Sequence, residues 1–323
     1  MSNQTTPQPI DPYRHLDLQL NPDGTLTRLR HIPDTRASSD PSLPIPVLSK
    51  DLTFNPSNHT WLRLFLPRTA LSSEIPKLPL IVFFRGSGFI ITTASSTVFH
   101  DLCVEIAHGV NAVVASVNYR LAPEHRLPAA YDDAMDALRW IRTSTEEWLT
   151  KHVDYSNCYL MGNSAGGNIA YHAGLRAAEM GNDLEPLKIK GLILRQAFFG
   201  GVQRSGSELR LENDKVIPLS VTDLLWELAL PVGVDRDHEY SNPRAGNGVE
   251  KVRELGWRVL VSGNGGDPLV DREKDLVELL EEKGVKVTWD FEEDGYHGVE
   301  HQDASKAKKL VEMVKGFVSQ SSY

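Results

Sequence analysis

The rhythm of apolar and polar positions changes near residue 78. Ahead of it, LDLQL and TLTRLRHI flank NPDG, which predicts a hairpin turning over Asn21–Gly24. Residues 1–12 are polar and proline-bearing, and residues 33–49 hold four prolines, so the latter predict an extended connection. KDLTF and TWLRLFLP, rich in Thr, Phe, Trp and Leu, read as strands.

Beyond residue 78, LPLIVFF is a continuous apolar run, the pattern of a strand buried on both faces, and NAVVASVNY (111–119) is another. CYLMG (158–162), GLIL (191–194), RVLVSG (258–263) and VKVTWDF (285–291) follow as strands. Helical spacing fills the gaps. After Pro128, residues Ala130, Ala134, Ala137, Leu138 and Ile141 share one face. DREKDLVELLEEKG (271–284) is amphipathic, with Asp271 read as its N-cap and Gly284 as its stop. Asp303 is placed to cap a last helix whose apolar face carries Ala307, Leu310, Val311, Val314 and Val318.

Strands alternating with helices predict an α/β fold, a mostly parallel sheet covered on both faces. Residues 199–250 interrupt the alternation with one helix, SVTDLLWELAL, between polar loops. They read as an insertion above the C-terminal edge of the sheet, where ligands bind in such folds.

The chemistry concentrates in CYLMGNSAGGNIAYHAG, where a buried strand runs through Gly162-Asn163-Ser164-Ala165-Gly166 straight into a helix. Two glycines without Cβ let the backbone fold tightly, and the turn lifts the Ser164 hydroxyl above the sheet. The same turn aims the Ala165 N–H at an anion forming there. A serine needs a base and a group to orient that base. Asp267 and His297 follow in the order Ser, Asp, His, each just past a strand. Asp294 is a competing carboxylate, and His301 a competing base further into the next helical region.

FFRGSGFI (83–90) places two glycines directly after a strand. It lacks the third glycine of a dinucleotide fingerprint, and no Gly-Lys-Ser/Thr follows for a phosphate loop. His100, His108 and His125 share no metal-ligand spacing and there is no HExxH, so neither a metal nor another cofactor is expected.

Composition narrows the setting. The 323 residues have a formal net charge of −9, which speaks against nucleic acid as the partner. Cys103 and Cys158 lack a CxxC spacing and read as reduced core residues. No run approaches a membrane span, and the N-terminus lacks a basic n-region and an apolar h-region, so the expected location is cytoplasmic.

NYRLAPEHRLPAAYDDAMDAL (118–138), MGNSAGGNIAYHAGLRA (161–177), FFGGVQRSGSELRL (198–211), PVGVDRDHEYSNP (231–243) and GDPLVDR (266–272) are long, specific runs. With LNPDGTLTR they resemble the plant carboxylesterases, especially the kiwifruit type, in the hormone-sensitive-lipase-like branch of the α/β-hydrolases. The resemblance spans nearly the whole chain. It implies a single α/β-hydrolase domain over 1–323, capped by residues 1–45 and 199–250. It implies Ser164 as nucleophile, Asp267 as orienting acid, His297 as base, and backbone N–H groups of Gly86, Ser87 and Ala165 as the oxyanion hole. Phe89, Phe198, Phe199 and Trp226 become candidate walls of an acyl pocket, and the expected partner is a small-molecule ester substrate, with the protein a monomer or weak homodimer.

One motif departs from the family. His-Gly-Gly-Gly is replaced by Arg85-Gly86-Ser87-Gly88. A Cβ on Ser87 can resist a positive φ, and a buried Arg85 needs a carboxylate partner or points into the pocket. Three readings follow: a short-acyl esterase; a repurposed relative catalysing elimination or cyclisation; and a small-molecule receptor, disfavoured by the presence of His297.

Overall fold

In the computed structural model, residues 10–72 and 76–320 are described. Residues 1–9, part of the expected N-terminal cap segment, lie outside them. The first elements are α1 (Pro12–His15), β1 (Leu18–Leu20) and β2 (Leu26–Arg28), followed by β3 (Val47–Asn55), β4 (Thr60–Pro67) and β5 (Leu78–Phe84). Next come α2 (Thr97–Val110), β6 (Val113–Asn118), α3 (Ala129–Thr143), α4 (Glu147–His152), β7 (Val153–Asn163), α5 (Ala165–Met180) and β8 (Ile189–Arg195). The last part holds α6 (Gly206–Arg210), α7 (Leu219–Ala229), α8 (Val249–Glu254), β9 (Arg258–Asn264), α9 (Val270–Glu282), β10 (Lys286–Glu292) and α10 (Ala304–Ser319).

Eight strands form one sheet in the order β10-β9-β8-β7-β5-β6-β4-β3. Only β4 runs antiparallel to its neighbours, and the other pairings are parallel. The alternation along β5 explains its unbroken apolar run. Leu80, Val82 and Phe84 enter the core under α3, α5 and α9, while Ile81 and Phe83 enter the core under α2 and α10. Both faces need apolar side chains, so no polar position is left.

Register brings the strand ends level. Phe84 pairs with Gly162, Asn163 with Arg195, Arg195 with Ser262, and Asn264 with Glu292. The segments leaving β5, β7, β8, β9 and β10 therefore emerge side by side at one edge.

The turn between β7 and α5 is built on close approach. A Cβ on Gly166 would lie 1.9 Å from the Phe84 carbonyl oxygen, and one on Gly162 2.0 Å from the Gly166 oxygen. Both obstacles are backbone, which cannot swing aside. Gly166→Ala is therefore expected to destabilise the fold by about 2 kcal/mol or more, lowering Tm by roughly 5 °C in a thermal melt.

The hairpin β1–β2 pairs antiparallel over Leu18–Arg28, as its sequence predicts. Arg28 fastens it to the body of the protein: its guanidinium donates to the carbonyls of Ile90 and Ala122 and pairs with Glu124. His15 is bonded to the Val216 carbonyl, 3.1 Å away, ahead of α7.

Two expectations need correction. Residues 199–250 hold a second helix, α6, and a 3₁₀ turn at Pro243–Ala245, besides α7 and the first turn of α8. Helix α6 is only five residues long, too short for a periodic signal; its mark is the reciprocal capping box of Ser205 and Glu208. Asp271 lies inside the first turn of α9, whose N-cap is Leu269. Its carboxylate instead accepts from the Ser207 N–H at 2.6 Å and ties α6 to α9.

Candidate active site

Ser164 sits at the turn with φ 52° and ψ −125°, a conformation L-residues rarely adopt. It is the last residue before α5, so the Ala165 N–H begins the helix and has no partner within it. The His297 ring lies with Nε2 2.9 Å from Ser164 Oγ and Nδ1 2.8 Å from Asp267 Oδ2. The other Asp267 oxygen, Oδ1, accepts from the Leu269 N–H at 2.9 Å. Asp267 is fully buried and His297 is 9% exposed. Three residues far apart in sequence thus form one hydrogen-bonded chain.

The competing groups stand elsewhere. Asp294 pairs with Lys306 at 2.8 Å. His301 meets the Asn163 side-chain amide at 3.1 Å and packs edge-on against Phe99.

The loop carrying His297 is held from β8. Gln196 Oε1 accepts from the Gly298 N–H at 2.7 Å, and its Nε2 donates to the Tyr296 carbonyl at 3.0 Å, so one side chain grips both flanks of the histidine. Asn264 adds a bond to the Asp294 carbonyl, and Arg195 joins Asn264 to Glu300. The sequence reading missed this network, because nothing in a sequence distinguishes a buried glutamine from an exposed one.

Burial by itself pulls the His297 pKa down. The Asp267 charge and hydrogen bond outweigh it and hold the imidazole above its ordinary 6.5, with Glu300 and Asp214 adding in the same direction. Glu273, fully buried near Asp267, is pushed far up by burial and by that neighbouring charge, which favours its neutral form. Glu300 moves the other way: burial raises it, but the Arg195 charge brings it below the usual range.

The loop after β5 faces the serine. A Cβ on Gly86 would come within 3.1 Å of Ser164 Cβ. Ser87 takes φ 75° in spite of its Cβ, followed by Gly88 at 61° and Phe89 at 68°. The N–H groups of Gly86, Ser87, Gly88 and Phe89 meet no acceptor among the described residues.

Arg85 is fully buried, yet its expected carboxylate partner is absent among the described residues. Its guanidinium donates to the carbonyls of Thr92 (2.9 Å), Val117 and Tyr119 (both 3.4 Å) and lies 3.9 Å above the Tyr119 ring. Carbonyl oxygens and an aromatic face replace the acid, so the cation binds the loop to the end of β6.

Phe198 and Trp226 stack with centroids 4.4 Å apart, and Phe89 joins them tilted, 5.6 Å from Trp226. Phe199 does not join them; it packs edge-on against Tyr171, beside His172. His172 is buried among Tyr131, Tyr171 and Tyr240, which draws its pKa down to about 3. Cys103 and Cys158 are free and buried. No group of His, Cys, Asp and Glu among the described residues is arranged to hold a metal, and none of their helices is long and apolar enough to cross a membrane.

A mostly parallel sheet whose strand ends gather a serine, a histidine and a carboxylate is the architecture of the α/β-hydrolases. The chain belongs to that family: its α/β-hydrolase-fold model matches residues 81–301. It is 51% identical over 320 residues to carboxylesterase 20 of Arabidopsis thaliana, covering 97% of this chain and 98% of that protein. It is 47% identical over 322 residues to a 3-O-acetylpapaveroxine carboxylesterase of Papaver somniferum, covering 95% and 99%. Among solved structures, a Pyrobaculum calidifontis esterase superposes with a TM-score of 0.72 over 87% of this chain and 88% of the other, at 23% identity, a likeness of fold.

Proposed function

We propose that the protein is a serine carboxylesterase that cleaves short-acyl esters of small molecules through an acyl-enzyme. The observation that carries this reading is the unbroken chain Ser164–His297–Asp267, at 2.9 and 2.8 Å, beside a row of free N–H groups.

In the proposed mechanism His297 Nε2 accepts the Ser164 proton as Oγ attacks the ester carbonyl. Asp267 holds Nδ1–H and stabilises the imidazolium. The N–H groups of Gly86, Ser87 and Ala165 receive the oxyanion. Collapse breaks the C–O bond, and the imidazolium protonates the departing alcohol. Water then enters by the same route, giving up a proton to His297, and the acid leaves with Ser164 restored. The N-terminal segment and residues 199–250 serve as the cap, and the cluster of Phe89, Phe198 and Trp226 borders the acyl pocket. The acetyl ester named for the Papaver relative supports a short acyl group. The positive φ of Ser87 with its N–H left free supports hydrolysis, because the altered loop keeps its donors.

Purified protein is expected to hydrolyse p-nitrophenyl acetate or butyrate, and a fluorophosphonate probe to label Ser164 in a peptide map. Absence of both turnover and label rules the reading out. The base must be neutral to work, so activity rises with pH through the His297 pKa. With that pKa held up by Asp267, the acid limb of kcat/KM is expected to have its midpoint above 6.5. A midpoint below that value assigns the limb to another group.

A further inference from the structure

Two peptide units stand out in the loop beside Ser164. The Tyr119 hydroxyl lies 3.0 Å from the carbonyl oxygen of Arg85 and 3.2 Å from that of Gly86, and its one proton is shared between them. A trans peptide is planar, with its N–H pointing opposite to its C=O. The unit whose carbonyl belongs to Arg85 carries the Gly86 N–H, and the unit whose carbonyl belongs to Gly86 carries the Ser87 N–H. These are two of the free donors in the loop beside Ser164. One hydroxyl on the far side therefore fixes the orientation of both.

From this geometry we infer that Tyr119 is a positioning residue for the oxyanion hole, with Arg85 as its brace. The need for a brace is local. Ser87, Phe89 and Thr92 have φ of 75°, 68° and 68°, each a costly conformation for a residue with a Cβ. The loop keeps this shape only if its carbonyls are held elsewhere. Tyr119 holds two, Arg85 holds that of Thr92, and the Ala122 N–H donates to Phe89 at 3.1 Å.

The pair also acts on donor strength. A carbonyl that accepts a hydrogen bond polarises its own amide, which makes the opposite N–H a better donor. Arg85 lies 3.9 Å over the Tyr119 ring, and its positive charge strengthens the hydroxyl as a donor in turn. Both side chains are buried, Tyr119 at 1% and Arg85 at 0% exposure, so water does not screen the effect. Neither touches the substrate in this scheme. Their influence is exerted through the peptide planes and grows as negative charge develops on the carbonyl oxygen.

The inference rests on the esterase reading, and one experiment separates the two. Wild type, Tyr119→Phe and Arg85→Lys are compared for p-nitrophenyl butyrate hydrolysis, for inhibition by a trifluoromethyl ketone that forms a tetrahedral adduct, and for Tm. Tyr119→Phe keeps the ring and removes only the hydroxyl. The expected result is a fall in kcat of roughly 10–100-fold, below the full loss of a donor, with KM within about twofold. The ketone Ki is expected to rise by the factor lost in kcat/KM. Arg85→Lys keeps the charge but loses the planar stack, and is expected to show a smaller fall of the same kind. If Tyr119→Phe does not fold, the Arg85→Lys comparison decides. A kcat within twofold of wild type in the folded variant, or a loss carried by KM alone, overturns the inference. Wild type that neither turns over the ester nor binds the ketone overturns the esterase reading itself.

Discussion

Replacing Ser164 with alanine is expected to lower kcat about 10⁵–10⁶-fold while leaving the fold intact. The reason lies in how little else the hydroxyl does. Its hydrogen bond to His297 is the only one found for Ser164 Oγ among the described residues. The backbone carries the architecture: the Ser164 N–H donates to Arg195, and its carbonyl accepts from Gly167, Asn168 and Phe198. Alanine keeps all of these and shares serine's discomfort at φ 52°. The free N–H groups and the pocket remain, so a residual rate above that of water is expected. The check is kcat, Tm and fluorophosphonate labelling measured on one preparation. Turnover above about 1% of wild type would point to a nucleophile other than Ser164.

Asp267→Asn is expected to cost about 10⁴-fold in kcat, although it changes a single atom. The position of that atom decides the outcome. Asp267 Oδ1 accepts from the Leu269 N–H, and Oδ2 accepts from His297 Nδ1. An asparagine must keep its oxygen on Leu269, because an NH₂ there would face another donor. Its NH₂ then points at His297 Nδ1, which must become an acceptor. The ring moves its proton to Nε2, where it faces Ser164 as a donor and can no longer take the serine proton. KM and Tm are expected to change little. The acid limb of the pH profile is expected to shift downward, since the charge that raises the His297 pKa is gone. Wild-type kcat in this variant would remove Asp267 from the proposed triad.

What the sequence revealed follows from what kind of signal each element leaves. Strand β5 was legible because burial on both faces permits nothing polar from Leu80 to Phe84. The turn at Ser164 was legible because Gly162 and Gly166 have no alternative when a Cβ would strike backbone. Asp267 and His297 stood out by position, each just beyond a strand, and the structure bonds His297 to Ser164 and Asp267 to His297 in one chain. Helix α6 left only a capping box. Arg85 misled, because a lone buried cation suggests an acid, and nothing in a sequence announces carbonyl groups and a ring as its partners. Gln196 and Tyr119 bond backbone groups through side-chain polar atoms, contacts for which residue type carries no mark. Phe199 shows the converse: next to Phe198 in sequence, it faces Tyr171 on the other side of the chain.

The attachment of the β1–β2 hairpin has a consequence in time. Arg28 reaches Ile90, Ala122 and Glu124, and His15 reaches Val216. At roughly 5–20 residues per second, a ribosome needs on the order of 10–40 s to travel from residue 28 to residue 216. A two-stranded hairpin has little stability alone, so this hairpin, made before its partners, waits for its docking surface. The carbonyl of Ile90, in the loop beside Ser164, is gripped only once the hairpin has docked. A chain whose sheet has formed before the hairpin docks therefore still lacks this grip on the loop beside Ser164.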